Sequence, residues 1–131
     1  MDLGLQGKCA FVAGASRGLG FATAKQLAKE GVNVAICART EDDLHEAADK
    51  IKAEAQSEVF PVPGDVSNTI DLDRIFDEIT ERWHRLDILV ANAGGPPAGG
   101  LDEIEPAQYR EAVDLNLQST VEMVYRALPL M

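Results

Sequence analysis

Nearly continuous apolar runs alternate with helical patterns along the whole chain, and few folds accommodate such an order. We predict four strands, each bounded by glycine or polar residues, at 8–13, 32–38, 58–62 and 87–91. Strands that are apolar on both faces need cover on both faces, which a parallel sheet flanked by helices supplies. The sequence therefore predicts an α/β fold with a doubly wound parallel sheet and the element order β-α-β-α-β-α-β-α.

Three segments carry apolar residues at helical spacing, so each is predicted to form a helix with one apolar side. These residues are Leu44, Ala47, Ala48, Ile51 and Ala55 in the first, Leu72, Ile75, Phe76, Ile79 and Trp83 in the second, and Val113, Leu117, Val121, Val124 and Leu128 in the third. Thr40 and Asp43 are spaced as a capping box for the helix that contains Leu44. Ser67 is the predicted N-cap of the helix that contains Leu72. The third is predicted over 106–128, with Pro106 in its first turn and Pro129 after its end.

The size and charge of the chain indicate one folded domain that does not bind nucleic acid or anionic lipids. Its 131 residues suit a single core, so we assign one domain over 1–131. The 12 lysines and arginines against 22 aspartates and glutamates give a net charge of −10, which repels nucleic acid and anionic lipids. No apolar stretch reaches the ~20 residues that cross a bilayer, and the first residues are unlike a secretory signal. We therefore predict a cytoplasmic protein with no nucleic-acid or membrane partner.

The cysteines and histidines show no spacing typical of a metal site. Cys9 and Cys37 lie in apolar segments, and we predict two buried, reduced thiols that fill small core volumes. His45 and His84 lie on separate predicted helices, without acidic residues or cysteines at ligand spacing. We therefore predict no metal site.

A glycine-rich segment joins the first predicted strand to the first helix. Gly14, Gly18 and Gly20 stand at this junction. The pyrophosphate of a dinucleotide binds where backbone N–H groups are free at a helix N-terminus, and side chains would obstruct its approach. Gly14 and Gly18 permit the turn and the close contact, and Gly20 lets the helix pack against the sheet. The sequence therefore predicts a dinucleotide site at this junction.

Four motifs occur in order along the chain: the spacing G-x-x-x-G-x-G, then Asp65-Val66, then Asn92-Ala93-Gly94, then Asn116. This order resembles the classical branch of the short-chain dehydrogenase/reductase family, and members similar to 3-oxoacyl-carrier-protein reductases are the nearest in character. Two departures are Ala13, where the family usually has threonine, and Ala91, where it usually has a first asparagine. The resemblance covers the whole chain and implies a Rossmann-type sheet whose first four strands have the order 3-2-1-4.

The resemblance also implies a role for each matching residue. To the coenzyme phosphates and adenosine ribose it assigns Gly14, Ser16, Arg17, Gly18, Leu19 and Gly20. To the adenine it assigns Asp65 and Val66, and to the ribose and nicotinamide side of the cleft Asn92, Ala93 and Gly94. Asn116 is implied as a catalytic residue that supports a water-mediated proton relay. From the residues alone two alternatives stay open: Asp65 simply ends a strand, and Asn92 satisfies backbone groups in a turn.

The end of the second predicted strand indicates which coenzyme is bound. Enzymes that use NAD usually carry an acidic residue there, which would repel a 2′-phosphate. This chain has Ala38 and Arg39 instead, and a guanidinium matches phosphate geometry. Arg17 in the glycine segment could approach the same group, so we predict NADP (NADPH) as the cofactor. The alternative is that Arg39 is a solvated charge or a partner of Glu41.

The chemistry of this family also needs a tyrosine, a lysine four residues later and a serine, and the chain lacks that set. Tyr109 is followed four positions later by Val113 and Tyr125 by Pro129, and the last lysine is Lys52. A phenol with a pKa of ~10 and no lysine beside it transfers a proton slowly near neutral pH.

We therefore expect the amino-terminal portion of a longer NADP-dependent oxidoreductase that acts on a small carbonyl or alcohol substrate. The 131 residues alone are expected to be inactive, and Ser119 is predicted to be a surface or packing residue. The alternative is a noncatalytic nucleotide-binding or assembly module.

The fourth predicted strand would leave an apolar edge, because the strands that continue beyond it in the family are absent. We expect this edge to be covered by a second chain that carries the remainder or in a homo-oligomer, which is a dimer or tetramer in the family. The third alternative is that the sequence is truncated or cleaved after Met131 and that later residues cover the edge. The segment 92–100, rich in glycine and proline, is predicted to be a mobile loop. It forms either one wall of the substrate site or a flexible connector.

Overall fold

The computed structural model describes residues 1–131 and contains one parallel four-stranded sheet with the order β3-β2-β1-β4. The strands are β1 (Cys9–Val12), β2 (Asn33–Ile36), β3 (Val59–Pro61) and β4 (Ile88–Val90). The helices are α1 (Gly18–Lys29), α2 (Glu41–Lys52), α3 (Thr69–Trp83), α4 (Pro106–Val113) and α5 (Ser119–Ala127), with a π-helical turn at Asp114–Gln118 and a 3-10 turn at Leu128–Leu130. The predicted α/β class and the order 3-2-1-4 are confirmed.

All strand pairings are parallel, so the carboxyl ends of the strands lie at one edge of the sheet. In the central strand β1, Ala10 is in register with Val34 of β2 and with Ile88 of β4. Hydrogen bonding continues past the strand ends, where the N–H of Ala13 donates to the carbonyl of Val90 over 3.1 Å. The segments that leave β1, β2 and β4 therefore begin side by side.

Both faces of the sheet are covered, as the continuous apolar strands predict. One face packs against α1 and α2 through Ala10, Val12, Val34, Ile36, Ala24, Ala28, Leu44, Ala48 and Ile51. The other packs against α3 and α5 through Phe11, Ala35, Cys37, Phe60, Leu72, Ile75, Ile79, Met123 and Ala127. Each strand thus sends alternate side chains into two separate cores, which is why no polar face interrupts its sequence. No helix is both long and apolar enough to cross a membrane.

The predicted N-cap of α3 is wrong by one residue. Asn68 takes that position, and its Oδ1 accepts hydrogen bonds from the backbone N–H groups of Ile70 (2.9 Å) and Asp71 (3.1 Å). The Ser67 hydroxyl instead donates to Oδ1 of Asp65 over 2.6 Å. Serine and asparagine both cap helices well, so composition alone could not distinguish the two neighbours.

The start of α2 differs from its prediction in the same way. Thr40 occupies the N-cap position, but its side chain makes no capping hydrogen bond, so the predicted capping box with Asp43 is not formed. The first turn holds Glu41, Asp42 and Asp43, whose negative charges suit the positive end of the helix dipole.

The helix predicted over 106–128 forms, but it is interrupted by the π-helical turn and buries a different side. The predicted apolar residues are exposed: Val113 52%, Leu117 61%, Val121 38%, Val124 37% and Leu128 59%. The buried residues of α5 are Ser119, Met123 and Ala127, on the side packed against α3. The Ser119 hydroxyl donates to the carbonyl of Leu115 one turn earlier, so this serine is a packing residue. The periodicity identified an apolar side that no part of the chain covers.

A carboxylate at the start of β4 joins this strand to β1. Asp87 accepts hydrogen bonds from the backbone N–H of Cys9 (2.8 Å) and from the Arg85 guanidinium (2.5 Å). Burial raises the pKa of Asp87, but the hydrogen bonds from Arg85 and Cys9 outweigh it, so the net pKa is lowered.

We expect Asp87→Ala to lower the free energy of unfolding by about 1–3 kcal/mol at pH 7, because it leaves a buried N–H without an acceptor. A carboxyl whose pKa is depressed on folding stabilises the protein above its unfolded pKa of ~3.9 and loses that effect as pH falls. The deficit should therefore shrink at pH 3 in urea denaturation. Asp77→Ala, at an exposed position of α3 with no side-chain bond, is the control. An equal deficit at both pH values would contradict the assignment.

Candidate functional site

A cleft of about 290 Å³ opens at the carboxyl edge of the sheet, where β1, β2 and β4 end. Ten of the predicted site residues line it: Gly14, Ser16, Arg17, Leu19, Arg39, Asp65, Val66, Asn92, Ala93 and Gly94. Its other lining residues are Cys37, Ala38, Thr40, Asp43, Gly64 and Leu115. Motifs separated by up to eighty positions in sequence thus meet in one cavity, because parallel strands deliver their exit loops to the same edge.

The glycine turn leaves β1 in a backbone conformation that favours glycine. Gly14 and Gly18 have φ of 60° and 61°, in the left-handed region. The N-cap of α1 is Arg17, whose side chain makes no capping hydrogen bond, and the first N–H groups of the helix have no acceptor within the protein. These free donors at the positive end of the α1 dipole are suited to an anion.

Two of the glycines are also required by close contacts. A Cβ on Gly20 would collide with the carbonyl oxygen of Gly14, and a Cβ on Gly14 would lie 2.7 Å from Nδ2 of Asn92. That amide donates to the carbonyls of Ala13 (3.3 Å) and Gly14 (3.2 Å) and so ties the end of β4 to the glycine turn. Asn92 therefore satisfies backbone groups in a turn, as the alternative held, and also lines the cleft.

Asp65 likewise combines a local role with a place in the cleft. Its Oδ1 accepts hydrogen bonds from the N–H (2.9 Å) and hydroxyl of Ser67, and its own N–H donates to Asp71 over 2.9 Å. These bonds fix the loop that joins β3 to α3. Val66, next in the chain, is 8% exposed and lines the cleft while packing into the core.

Two arginines stand at the open side of the cleft without partners. Arg17 and Arg39 are exposed and form no ion pair and no side-chain hydrogen bond. Glu41, the alternative partner of Arg39, instead contacts His45 over 3.5 Å. The two guanidinium groups therefore give the cleft positive charge that no carboxylate of the protein neutralises, although the net charge of the protein is −10.

Asn116, the predicted catalytic residue, does not line the cleft. Its side chain is exposed and donates to the carbonyl of Ala112 over 2.9 Å, within its own helix. Leu115 beside it lines the cleft instead. Leu115 and Asn116 are neighbours in the π-helical turn, and their side chains lie on different sides of it, one at the cleft and one in solvent. Gly18 and Gly20 do not line the cleft either. Gly18 allows the left-handed backbone of the turn, and Gly20 allows α1 to pack closely on it.

Cys9 and Cys37 are buried free thiols, as predicted, but the sequence analysis did not predict that Cys37 lines the cleft. Its thiol donates to the carbonyl of Gly64 over 3.4 Å, and burial raises the pKa of Cys37 to about 12. The residue directly follows β2, so the rule that sites form at strand ends could have found it. Leu115 carries no such signal, because its helix is distant in sequence from every strand end. No group of three or more histidine, cysteine, aspartate or glutamate side chains is placed to hold a metal ion.

Comparison with known proteins agrees with this geometry. Residues 8–131 match the family model of the short chain dehydrogenases. The chain is 36% identical to 11-beta-hydroxysteroid dehydrogenase A of Sesamum indicum over 124 residues, which are 94% of this chain and 36% of that protein.

Solved structures give the same result. L-sorbose reductase from Gluconobacter frateurii, in complex with NADPH and L-sorbose, has a TM-score of 0.95 at 32% identity, over 100% of this chain and 50% of that one. An alcohol dehydrogenase from Thermococcus sibiricus, in complex with 5-hydroxy-NADP, has a TM-score of 0.89 at 32% identity, over 95% of this chain and 53% of that one. The chain thus spans about half or less of the length of these relatives. On its sheet order, its glycine turn and these matches, the chain belongs to the short-chain dehydrogenase family of oxidoreductases.

Proposed function

We propose that the protein is an NADP(H)-dependent oxidoreductase that transfers hydride between the nicotinamide and a carbonyl or alcohol substrate. The observation that carries the proposal is the cleft itself, which is bordered by the start of α1 with its free N–H groups and by two unpaired arginines. A dinucleotide fits these residues because Gly14, which has no side chain to obstruct the pyrophosphate, lines the cleft beside the start of α1.

Each part of the cleft would hold a different part of the coenzyme. The turn from Gly14 to Gly20 would bind the phosphates through backbone N–H groups, and Arg17 and Arg39 would bind the 2′-phosphate. Asp65 and Val66 would lie at the adenine. The segment 92–94 would lie on the nicotinamide side, where the bound coenzyme would supply the hydride. Asn116 is kept only as a proposed support of proton transfer, because its side chain is bonded within its helix.

Proton transfer to the substrate is proposed to depend on groups that these 131 residues do not contain. Neither Tyr109 nor Tyr125 has a lysine four residues later, so a chain limited to 1–131 would bind coenzyme without turnover. The proposed substrate class is a small carbonyl or alcohol, with 3-oxoacyl compounds as the first to test because the motifs resemble 3-oxoacyl reductases.

Two surfaces support the further proposal that these residues pack against more protein. Apolar and aromatic side chains are exposed along α4, the π-helical turn, α5 and the 3-10 turn: Tyr109, Val113, Leu117, Val121, Val124, Tyr125 and Leu128. Within residues 1–131, β4 forms one edge of the sheet. Further strands, from the same protein or from a second chain, or a homo-oligomer would cover these surfaces. The proposed compartment is the cytoplasm, where the buried thiols of Cys9 and Cys37 would stay reduced.

NADPH binding tests the proposal directly. The protein as its gene encodes it is titrated with NADPH and with NADH, and coenzyme fluorescence reports the two dissociation constants. We expect tighter binding of NADPH and a loss of NADPH absorbance when a 3-oxoacyl thioester or a simple ketone is added. Binding without any carbonyl-dependent oxidation would favour the noncatalytic nucleotide-binding module instead. Failure to bind either coenzyme would contradict both functions.

A further inference from the structure

A second cavity of about 420 Å³ adjoins the cleft between the starts of α1 and α2. Its lining residues are Ser16, Arg17, Gly18, Phe21, Asp43, Glu46, Ala47 and Lys50. Ser16, Arg17 and Asp43 line both this side cavity and the cleft, so they mark the boundary between them. Arg17 is contributed by the glycine turn and Asp43 by the first turn of α2.

Asp43 is a free negative charge at this boundary. It forms no ion pair and no side-chain hydrogen bond, whereas Glu41 of the same turn contacts His45. Asp65, the other carboxylate that lines the cleft, is held by Ser67. Asp43 is thus the carboxylate of the cleft lining that has no hydrogen-bond or ion-pair partner, and Arg17 and Arg39 line the same cleft.

We propose that Asp43 is a specificity-determining residue that opposes the 2′-phosphate and so limits the preference for NADP(H) over NAD(H). The inference rests on the proposed function, since it concerns the same coenzyme site. A phosphate monoester carries a charge of about −1.5 to −2 at pH 7, and a carboxylate at the boundary repels it. The ribose of NAD(H) has a neutral hydroxyl at that position, so Asp43 would not penalise it.

The repulsion has two measurable signatures. Asp43→Asn is nearly isosteric and exposed, and we expect it to tighten NADPH binding about 3- to 10-fold and to change NADH binding less than about twofold. Because salt screens charges in solvent-accessible sites, the gain for NADPH should shrink when ionic strength is raised to about 1 M. A purely structural role would change both coenzymes alike and would not respond to salt.

Asp42→Asn is the matched control. It removes the same charge from the same helical turn, but Asp42 lines neither cavity. The experiment measures dissociation constants of NADPH and NADH for wild type, D43N and D42N at low and high salt, in the protein as its gene encodes it. A gain for NADPH in D43N that D42N lacks would support the proposal. An unchanged NADPH to NADH ratio in D43N, or the same change in D42N, would overturn it.

Failure of this inference is distinguishable from failure of the proposed function. If wild type binds NADPH and loses that preference on replacement of Arg39, while D43N matches wild type, only the role of Asp43 is wrong. If wild type binds neither coenzyme, the proposed function is wrong and the inference fails with it.

Discussion

Arg39→Asp is expected to weaken NADPH binding about 100-fold and to leave NADH binding within about threefold. The substitution would remove the proposed charge-assisted hydrogen bond from Arg39 to the 2′-phosphate, worth about 1.5–3 kcal/mol, and would add a negative charge that repels the phosphate. The ribose of NADH has only a hydroxyl there, and its O–H can donate a hydrogen bond to the aspartate carboxylate. Fluorescence titration of both coenzymes measures the effect.

The matched control for this variant is Arg110→Asp. Arg110 lies on α4, is exposed, forms no ion pair and lines neither cavity, so the same change in net charge occurs away from the cleft. We expect both coenzymes to bind this variant within about twofold of wild type, because the Debye length of ~8 Å screens a distant charge at physiological salt. If Arg39→Asp lost equal affinity for NADPH and NADH, the assignment of Arg39 to the 2′-phosphate would be wrong.

Most of the fold follows from the sequence because its signals are local and repeated. Four apolar runs with no polar side require a sheet covered on both faces, and the structure has the predicted strand order. The strands are shorter than predicted: the run at 32–38, for example, forms β2 only over Asn33–Ile36. Cys37 beyond it is still buried and still hydrogen-bonded to β1, so apolar character extends past the regular strand.

The helix ends and the last helix were harder to predict for a different reason. Ser67 and Asn68 are both good caps, and only the path of the loop decides which one lies at the helix start. In the last helix, the apolar side with Val113 and Leu117 is the clearest pattern in the sequence, yet it is exposed. Periodicity identifies an apolar side but cannot show whether the same chain or another one covers it.

The site was largely predictable because its residues occupy strand ends, where position along the chain translates into position in space. Gly14, Asp65 and Asn92 each follow a strand, and all three line the cleft. Leu115 and Asn116 come from the π-helical turn, where a difference of one residue decides which side chain faces the cavity. Asn116 was predicted from the family resemblance alone, and no pattern in the sequence indicates that Leu115 lines the cleft.

Gly20→Ala is expected to disrupt binding of both coenzymes, in contrast to Arg39→Asp. The new methyl group would collide with the carbonyl oxygen of Gly14 and lie 2.9 Å from Nδ2 of Asn92. Neither the glycine turn nor the end of β4 can yield easily, because Asn92 hydrogen-bonds to that turn. The start of α1 must therefore move, and its free N–H groups with it. We expect the affinities for NADPH and NADH to fall together by about tenfold or more, with a loss of about 1–3 kcal/mol in unfolding free energy from overpacking.

Gly7→Ala separates this steric effect from the general cost of replacing a glycine. A Cβ on Gly7 meets no atom within 4 Å and Gly7 lines neither cavity, so the only penalty is the left-handed φ of 78°, about 1–2 kcal/mol. The two variants should therefore lose similar stability in urea denaturation, while only Gly20→Ala loses coenzyme affinity to the full extent. If both variants bound NADPH and NADH like wild type, the close packing of α1 on the glycine turn would not be what shapes the phosphate site. The free N–H groups of α1 can bind an anion only when the turn holds them toward the cleft. That result would therefore also contradict the proposed function, which rests on those N–H groups.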